Sequence, residues 1–121
     1  MSLIATILIV DDDEDIVRLF EQFLELKGHK VVAKLSNGED AIQYYKKTQN
    51  HPDIILMDHR MPLKNGVETT KEILHIKPNS KIIFISADYT IRDLALKAGA
   101  VAFLEKPIDF TSLFQIIERI L

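Results

Sequence analysis

Asp53-Ile54-Ile55-Leu56-Met57-Asp58-His59-Arg60-Met61-Pro62 is the stretch whose reading decides the fold. A short apolar run, β-branched in part and introduced by the turn-forming His51-Pro52, ends abruptly at a carboxylate. Such a run reads as a strand covered on both faces, the pattern of a parallel sheet. Asp58 then stands at the carboxyl end of that strand, where open α/β sheets place their chemistry. Taken alone, an aspartate after a strand is more often the first polar residue of a loop or the cap of a turn. The rest of the chain separates the two readings.

Working outward, four more apolar runs stop in a similar way. Ala5 to Val10 leads into the acidic Asp11-Asp12-Asp13-Glu14-Asp15, and from Ile16 a helical stripe of Ile16, Phe20, Phe23, Leu24 and Leu26 runs to a stop at Gly28. Lys30 to Leu35 is a second strand, and Ser36-Asn37-Gly38 offers caps for a helix carrying Ala41, Ile42 and Tyr45. After the opening stretch, Val67, Thr70, Ile73 and Leu74 mark a helix that ends before Pro78. Lys81 to Ser86 is the fourth strand; Ile91, Leu94, Ala95 and Ala98 mark a short helix stopped by Gly99. Ala100 to Leu104 is the fifth strand, and Asp109 caps a last helix bearing Leu113, Ile116, Ile117 and Ile120. Five strands alternating with five helices predict an α/β fold, a doubly wound parallel sheet with helices on both faces.

The chain has 121 residues, 47% of them apolar, which matches one domain over residues 1–121 with a single layered core. A net charge of −3 provides no footprint for a nucleic-acid backbone, so direct nucleic-acid binding is not expected. The absence of cysteine removes disulfides and thiolate metal sites. No apolar run is long enough to span a bilayer, and the amino terminus lacks a signal-peptide pattern, so a cytoplasmic protein with no membrane contact is expected. Met1-Ser2-Leu3 reads equally as a native start or an expression remnant.

Four of the five strands end in a residue with chemistry: Asp11 and Asp12, Asp58, Ser86, and Lys106. Parallel strands bring these ends to one rim. Each has a plainer explanation, the acidic run favouring a helix amino terminus, Ser86 a turn hydroxyl, Lys106 a solvated surface charge. The coincidence across four ends argues for a site. Three adjacent carboxylates raise one another's pKa unless a counter-charge is present. A hard divalent cation such as Mg²⁺ answers this, held by Asp11, Asp12, Asp58 and a loop carbonyl. Lys106 adds a second positive charge and the Ser86 hydroxyl a hydrogen-bond donor, an arrangement suited to phosphoryl transfer. No general base is evident, which suits a carboxylate nucleophile that has no proton to lose, and Asp58 is that candidate.

In their order and spacing these residues resemble the receiver domain of two-component response regulators, of the chemotaxis-regulator kind. The resemblance spans essentially the whole chain and rests on Ile7-Leu8-Ile9-Val10-Asp11-Asp12, Asp58 with Met61-Pro62 and Asn65-Gly66, Ser86-Ala87, Gly99-Ala100, Phe103-Leu104 and Lys106-Pro107. It implies the flavodoxin-like strand order 2-1-3-4-5 and a phosphoryl group received by Asp58 from a histidine kinase or phosphotransfer protein. It implies that Asp12 binds Mg²⁺, or another divalent such as Mn²⁺, directly, that Asp11 does so through water, and that the Arg60 carbonyl completes the set. Ser86 and Phe103 would form a switch pair, the face of helix four, strand five and helix five would change its partner affinity, and Lys106-Pro107 would be cis. Enzymatic activity is expected only as self-catalysed phosphoryl acceptance and autodephosphorylation.

Some positions depart from the family's commonest pattern. Ser86 stands where threonine is frequent, and Val101 and Ala102 stand where relatives joined to winged-helix domains often carry acidic residues used in dimer contacts. His59 and Arg60 follow the acceptor, and Asp88 lies two beyond Ser86; an Arg60–Asp88 interaction across the mouth of the site is expected to restrict water. A Mg²⁺-dependent phosphohydrolase is the competing enzymatic reading, against which Arg60 occupies the place of that chemistry's usual second acid. A third reading is a binding module that has lost phosphorylation. His29, His51 and His75 show no ligand spacing and are expected at surface or turn positions. Tyr44-Tyr45 reads as helix packing rather than a base-stacking platform.

Overall fold

In the computed structural model, which describes residues 4–121, the five apolar runs form one parallel sheet. The strands are β1 (Thr6–Val10), β2 (Lys30–Leu35), β3 (Ile54–Met57), β4 (Lys81–Ser86) and β5 (Ala102–Glu105). Their order is β2-β1-β3-β4-β5, the doubly wound order expected. Helices α1 (Glu14–Leu26), α2 (Gly38–Lys47), α3 (Gly66–Ile76), α4 (Arg92–Ala98) and α5 (Phe110–Ile120) connect and follow them, with a 3₁₀ turn over Tyr89–Ile91 ahead of α4. Met1-Ser2-Leu3, the stretch with two readings, lies outside the described residues.

Alternation of side chains along each strand divides the core in two. Leu8, Val10, Ile55, Met57, Ile82 and Phe84 point to one face, where Ala41, Ile42 and Tyr45 of α2, Val67 and Ile73 of α3 and Ala95 of α4 cover them. Ile7, Ile9, Ile54, Leu56, Ile83 and Ile85 point to the other, under Phe20 and Leu24 of α1 and Leu113 and Ile117 of α5. All four residues of β3 are buried, which is why that strand reads as an unbroken apolar run. Each buried aliphatic side chain stabilises the fold by roughly 1.5–3 kcal/mol relative to exposure, so the central strands anchor everything built on their ends.

Helix starts follow from local chemistry. The side chains of Asp13, Asn37, Asn65 and Asp109 accept hydrogen bonds from amides of the first turns of α1, α2, α3 and α5. Asp13 moves the start of α1 two residues ahead of the expected Ile16, because a capping carboxylate needs no apolar neighbour to open a helix. β5 begins at Ala102 rather than Ala100. Gly99 ends α4 at φ 113°, the Ala100 amide still donates to Ala95 of that helix, and Val101 first reaches the sheet through its amide to the Ile82 carbonyl.

Three apolar or imidazole positions depart from expectation. Leu26 and Leu94 are 81% and 56% exposed and take no part in the core stripe expected of them. His29 is buried, not superficial, and its Nδ1 accepts the Ala5 amide at 3.0 Å, a partner 24 residues away that no local pattern announces. His51 lies half-buried over Tyr45, whose hydroxyl pairs with Ser80 at 3.0 Å, so Tyr45 is a packing residue. Among the described residues no helix is long and apolar enough to cross a membrane.

Candidate functional site

The rim is built by main-chain bonds that run one step past the strands. The Asp58 amide donates to the Val10 carbonyl at 2.9 Å, the Asp11 amide to Leu35 at 3.0 Å, and the Lys106 amide to Ser86 at 2.9 Å. Each functional residue therefore hangs from the end of a neighbouring strand. Lys106 precedes Pro107 through a cis peptide bond, the isomer the family resemblance implies.

Asp11, Asp12 and Asp58 each offer a carboxylate oxygen, and the three oxygens lie within 4.8 Å of one another. Asp11 and Asp58 are buried and Asp12 is exposed. The Asp13 amide donates to Asp11 Oδ1 at 2.9 Å, which orients that carboxylate while Asp13 itself caps α1. Lys106 Nζ donates to Asp11 Oδ2 at 2.9 Å and stands 3.5 Å from Asp58 Oδ1. Burial acts against the Lys106 ammonium, but its bond to Asp11 and the charges of Asp11 and Asp58 outweigh burial and hold its pKa above the ordinary value. Burial, then the Asp11 charge, push the Asp58 carboxyl up to about 6 despite Lys106 and the His59 amide.

One ammonium is thus too little positive charge for this cluster. A further hard cation fits the donor set, three carboxylates with room for water beside them. The cleft above, about 390 Å³, is lined by Asp12, Asp13, Asp58, Arg60, Ser86, Ala87, Asp88 and Lys106.

On the far side of Asp58, the Ser86 hydroxyl oxygen accepts the Asp88 amide at 3.0 Å, leaving its own hydrogen free to donate. Asp88 Oδ1 accepts from the amide of Thr90 at 3.0 Å and from its hydroxyl, capping the 3₁₀ turn. Asp88 Oδ2 accepts from Arg60 at 3.3 Å, so the expected contact across the mouth is present. The Thr90 hydroxyl and amide, with a smaller share from Arg60, hold the Asp88 carboxyl below its ordinary pKa. Phe103 is half-buried between Phe84, stacked at 6.1 Å, and Tyr89, edge-on at 6.1 Å. The His59 ring lies tilted beside Phe84, with 6.0 Å between ring centroids.

Sequence reasoning placed Asp11, Asp12, Asp58, Ser86 and Lys106 on one rim, and the fold brings them together. It did not assign tasks to Asp13, Thr90 or Gly66. A Cβ at Gly66 would collide with the Asp58 carbonyl oxygen and the Phe84 ring, so only glycine lets α3 start this close to the acceptor. The Asn65-Gly66 pair was visible as loop chemistry, but the close approach it permits was not.

The chain matches the family described as the response regulator receiver domain over residues 7–118. It is 34% identical over 116 residues to the chemotaxis protein CheY of Thermotoga maritima, covering 94% of this chain and 95% of that one. CheY in a CheX-CheY-BeF3-Mg complex from Borrelia burgdorferi superposes with a TM-score of 0.88 at 28% identity, over 96% of this chain and 89% of that one. The receiver domain of the Pseudomonas aeruginosa sensor histidine kinase PA1611, solved with magnesium in its active-site cleft, gives a TM-score of 0.85 at 28% identity, over 97% of each chain.

Proposed function

Because this chain belongs to the family of response regulator receiver domains, we propose that residues 1–121 are a single receiver unit whose Asp58 accepts a phosphoryl group from a histidine kinase or phosphotransfer protein. The observation that carries this reading is the convergence of Asp11, Asp12 and Asp58 within 4.8 Å, with Lys106 Nζ on Asp11 and beside Asp58. Asp58 is the nucleophile: its carboxylate oxygen bonds to phosphorus as the bond from phosphorus to the donor breaks. Hydrolysis later returns the carboxylate and inorganic phosphate. Lys106 neutralises charge on the phosphoryl oxygens and the Ser86 hydroxyl donates to one of them.

Asp12 and Asp58, Asp11 through water, and the Arg60 carbonyl would hold Mg²⁺ or Mn²⁺, which supplies charge neutralisation for the transferred group. The magnesium present in the cleft of the Pseudomonas aeruginosa relative supports this assignment. Phe103, next to β4 and Tyr89, is the aromatic partner of Ser86 in a switch that alters the face formed by α4, β5 and α5. The partners are proteins in the cytoplasm, not nucleic acid or membrane. A phosphohydrolase acting on outside substrates is disfavoured by Arg60, which occupies the usual place of its second acid.

Incubation with Mg²⁺ and acetyl phosphate tests the reading. The expected product is one base-labile adduct, mapped to Asp58 by peptide analysis and lost on chelation of the metal before the reaction. An adduct elsewhere, or none, would overturn it; rapid turnover of many phosphoesters would favour the phosphohydrolase.

Arg60 and Asp88 narrow the path of water to the acyl phosphate. Replacing both with alanine is expected to speed loss of the label several-fold without changing where it forms. The decay rate after removal of acetyl phosphate measures this, and an unchanged rate would count against a shielding role.

A further inference from the structure

We propose that Arg60 is a movable counter-ion: Asp88 holds its guanidinium while Asp58 is unmodified, and a phosphoryl group on Asp58 takes it over. The proposal rests on the reading of Asp58 as the phosphoryl acceptor and adds how occupancy of that site reaches the segment ahead of α4.

Three observations carry it. The Arg60–Asp88 contact is a single bond of 3.3 Å, longer than the roughly 2.7–2.9 Å of a strong charge-assisted pair. The Arg60 side chain is 81% exposed, so it is free to swing. Arg60, Asp88 and Asp58 line the same cleft. A phosphoryl group carries close to two negative charges and three acceptor oxygens, and it matches the guanidinium fork better than one oxygen of Asp88 does. The bridge resembles an exposed ion pair, and such pairs are weak enough to be surrendered.

The exchange has a structural consequence because Asp88 is a junction. Its amide is tied to Ser86, its Oδ2 to Arg60 and its Oδ1 to Thr90. The Ser86 hydroxyl and Arg60 are both drawn toward the new phosphoryl group. Asp88 then keeps only Thr90, which is part of the turn Tyr89–Ile91, so the turn that leads into α4 loses both of the ties that Asp88 gives it to the site. Arg60 meanwhile still covers the acyl phosphate, so the shielding described above persists in the loaded state.

A double-mutant cycle on analogue affinity tests the exchange. Beryllofluoride with Mg²⁺ is titrated into the wild type, Arg60→Gln, Asp88→Asn and the double variant, with the bound fraction read by fluorine NMR. Competition for one guanidinium means that Asp88→Asn tightens binding more when Arg60 is present than when glutamine replaces it, by about two- to fivefold, the worth of one exposed ion pair. Plain repulsion of the anion by Asp88 would tighten binding equally in both backgrounds. Equal tightening overturns the exchange and leaves the role of Asp58 intact. Failure of the wild type to bind, or undiminished binding in Asp58→Asn, overturns both.

Discussion

Asp58→Asn is expected to abolish phosphoryl acceptance and, in the metal-free protein at neutral pH, to raise fold stability by about 3 kcal/mol. The two effects share one cause. Burial and the Asp11 charge lift the Asp58 carboxyl from 3.8 to about 6. The native state therefore binds this proton more tightly than the unfolded chain does. Its contribution to stability is fully present below 3.8 and is lost as pH rises through about 6; at neutral pH the ionised carboxylate works against the fold. Asparagine keeps the shape and has no proton to lose, and Lys106 keeps its closer partner Asp11. Urea midpoints at pH 7 and about pH 4 measure the difference, which should be large at the first and shrink at the second. Added Mg²⁺ should restore the wild type selectively, because a ligand stabilises only the state that binds it. A variant no more stable than wild type at neutral pH would mean that Asp58 is not strained by its neighbours.

Gly66→Ala is expected to cost about 3 kcal/mol, the upper end for overpacking, and to slow labelling of Asp58 by roughly tenfold or more. The added methyl meets the Asp58 carbonyl oxygen, which is backbone, and the end of the Phe84 ring. Phe84 is buried in the middle of β4 with no room to withdraw, so the Asp58 segment must move instead. Gly28→Ala is the comparison. Its Cβ finds nothing nearer than 3.9 Å, and its φ of 90° leaves only the conformational penalty, about 1 kcal/mol. Denaturant midpoints and labelling rates of the two variants, taken below their melting temperatures, separate crowding at the acceptor from general glycine loss. Equal labelling rates would show that the acceptor tolerates displacement.

Much of this was legible because the governing signals are local. Unbroken apolar runs and the alternation of two buried faces are written residue by residue, and parallel strands place their ends together without further information. Asp11, Asp12, Asp58, Ser86 and Lys106 were accessible for that reason. What was not legible depends on distances between remote segments. Buried His29 accepts the amide of Ala5, 24 residues away, and Leu26 at the end of α1 stays exposed. Gly66 has its meaning only once α3 is laid against Asp58. The extension of α1 to Glu14 is a different case, since Asp13 was visible as a capping residue and was read only as part of an acidic run.

The main-chain bonds from Asp58 to Val10, Asp11 to Leu35 and Lys106 to Ser86 divide the molecule into two parts that are free to diverge separately. Chemistry is inherited from the sheet and from the glycine that opens α3: a substitution that preserves strand pairing and the close approach of Gly66 to Asp58 leaves the reacting groups where they are. Identity is inherited from the helices, whose outer residues touch none of those bonds. A descendant of this chain can therefore alter its helix surfaces alone while the groups of the proposed reaction stay where they are.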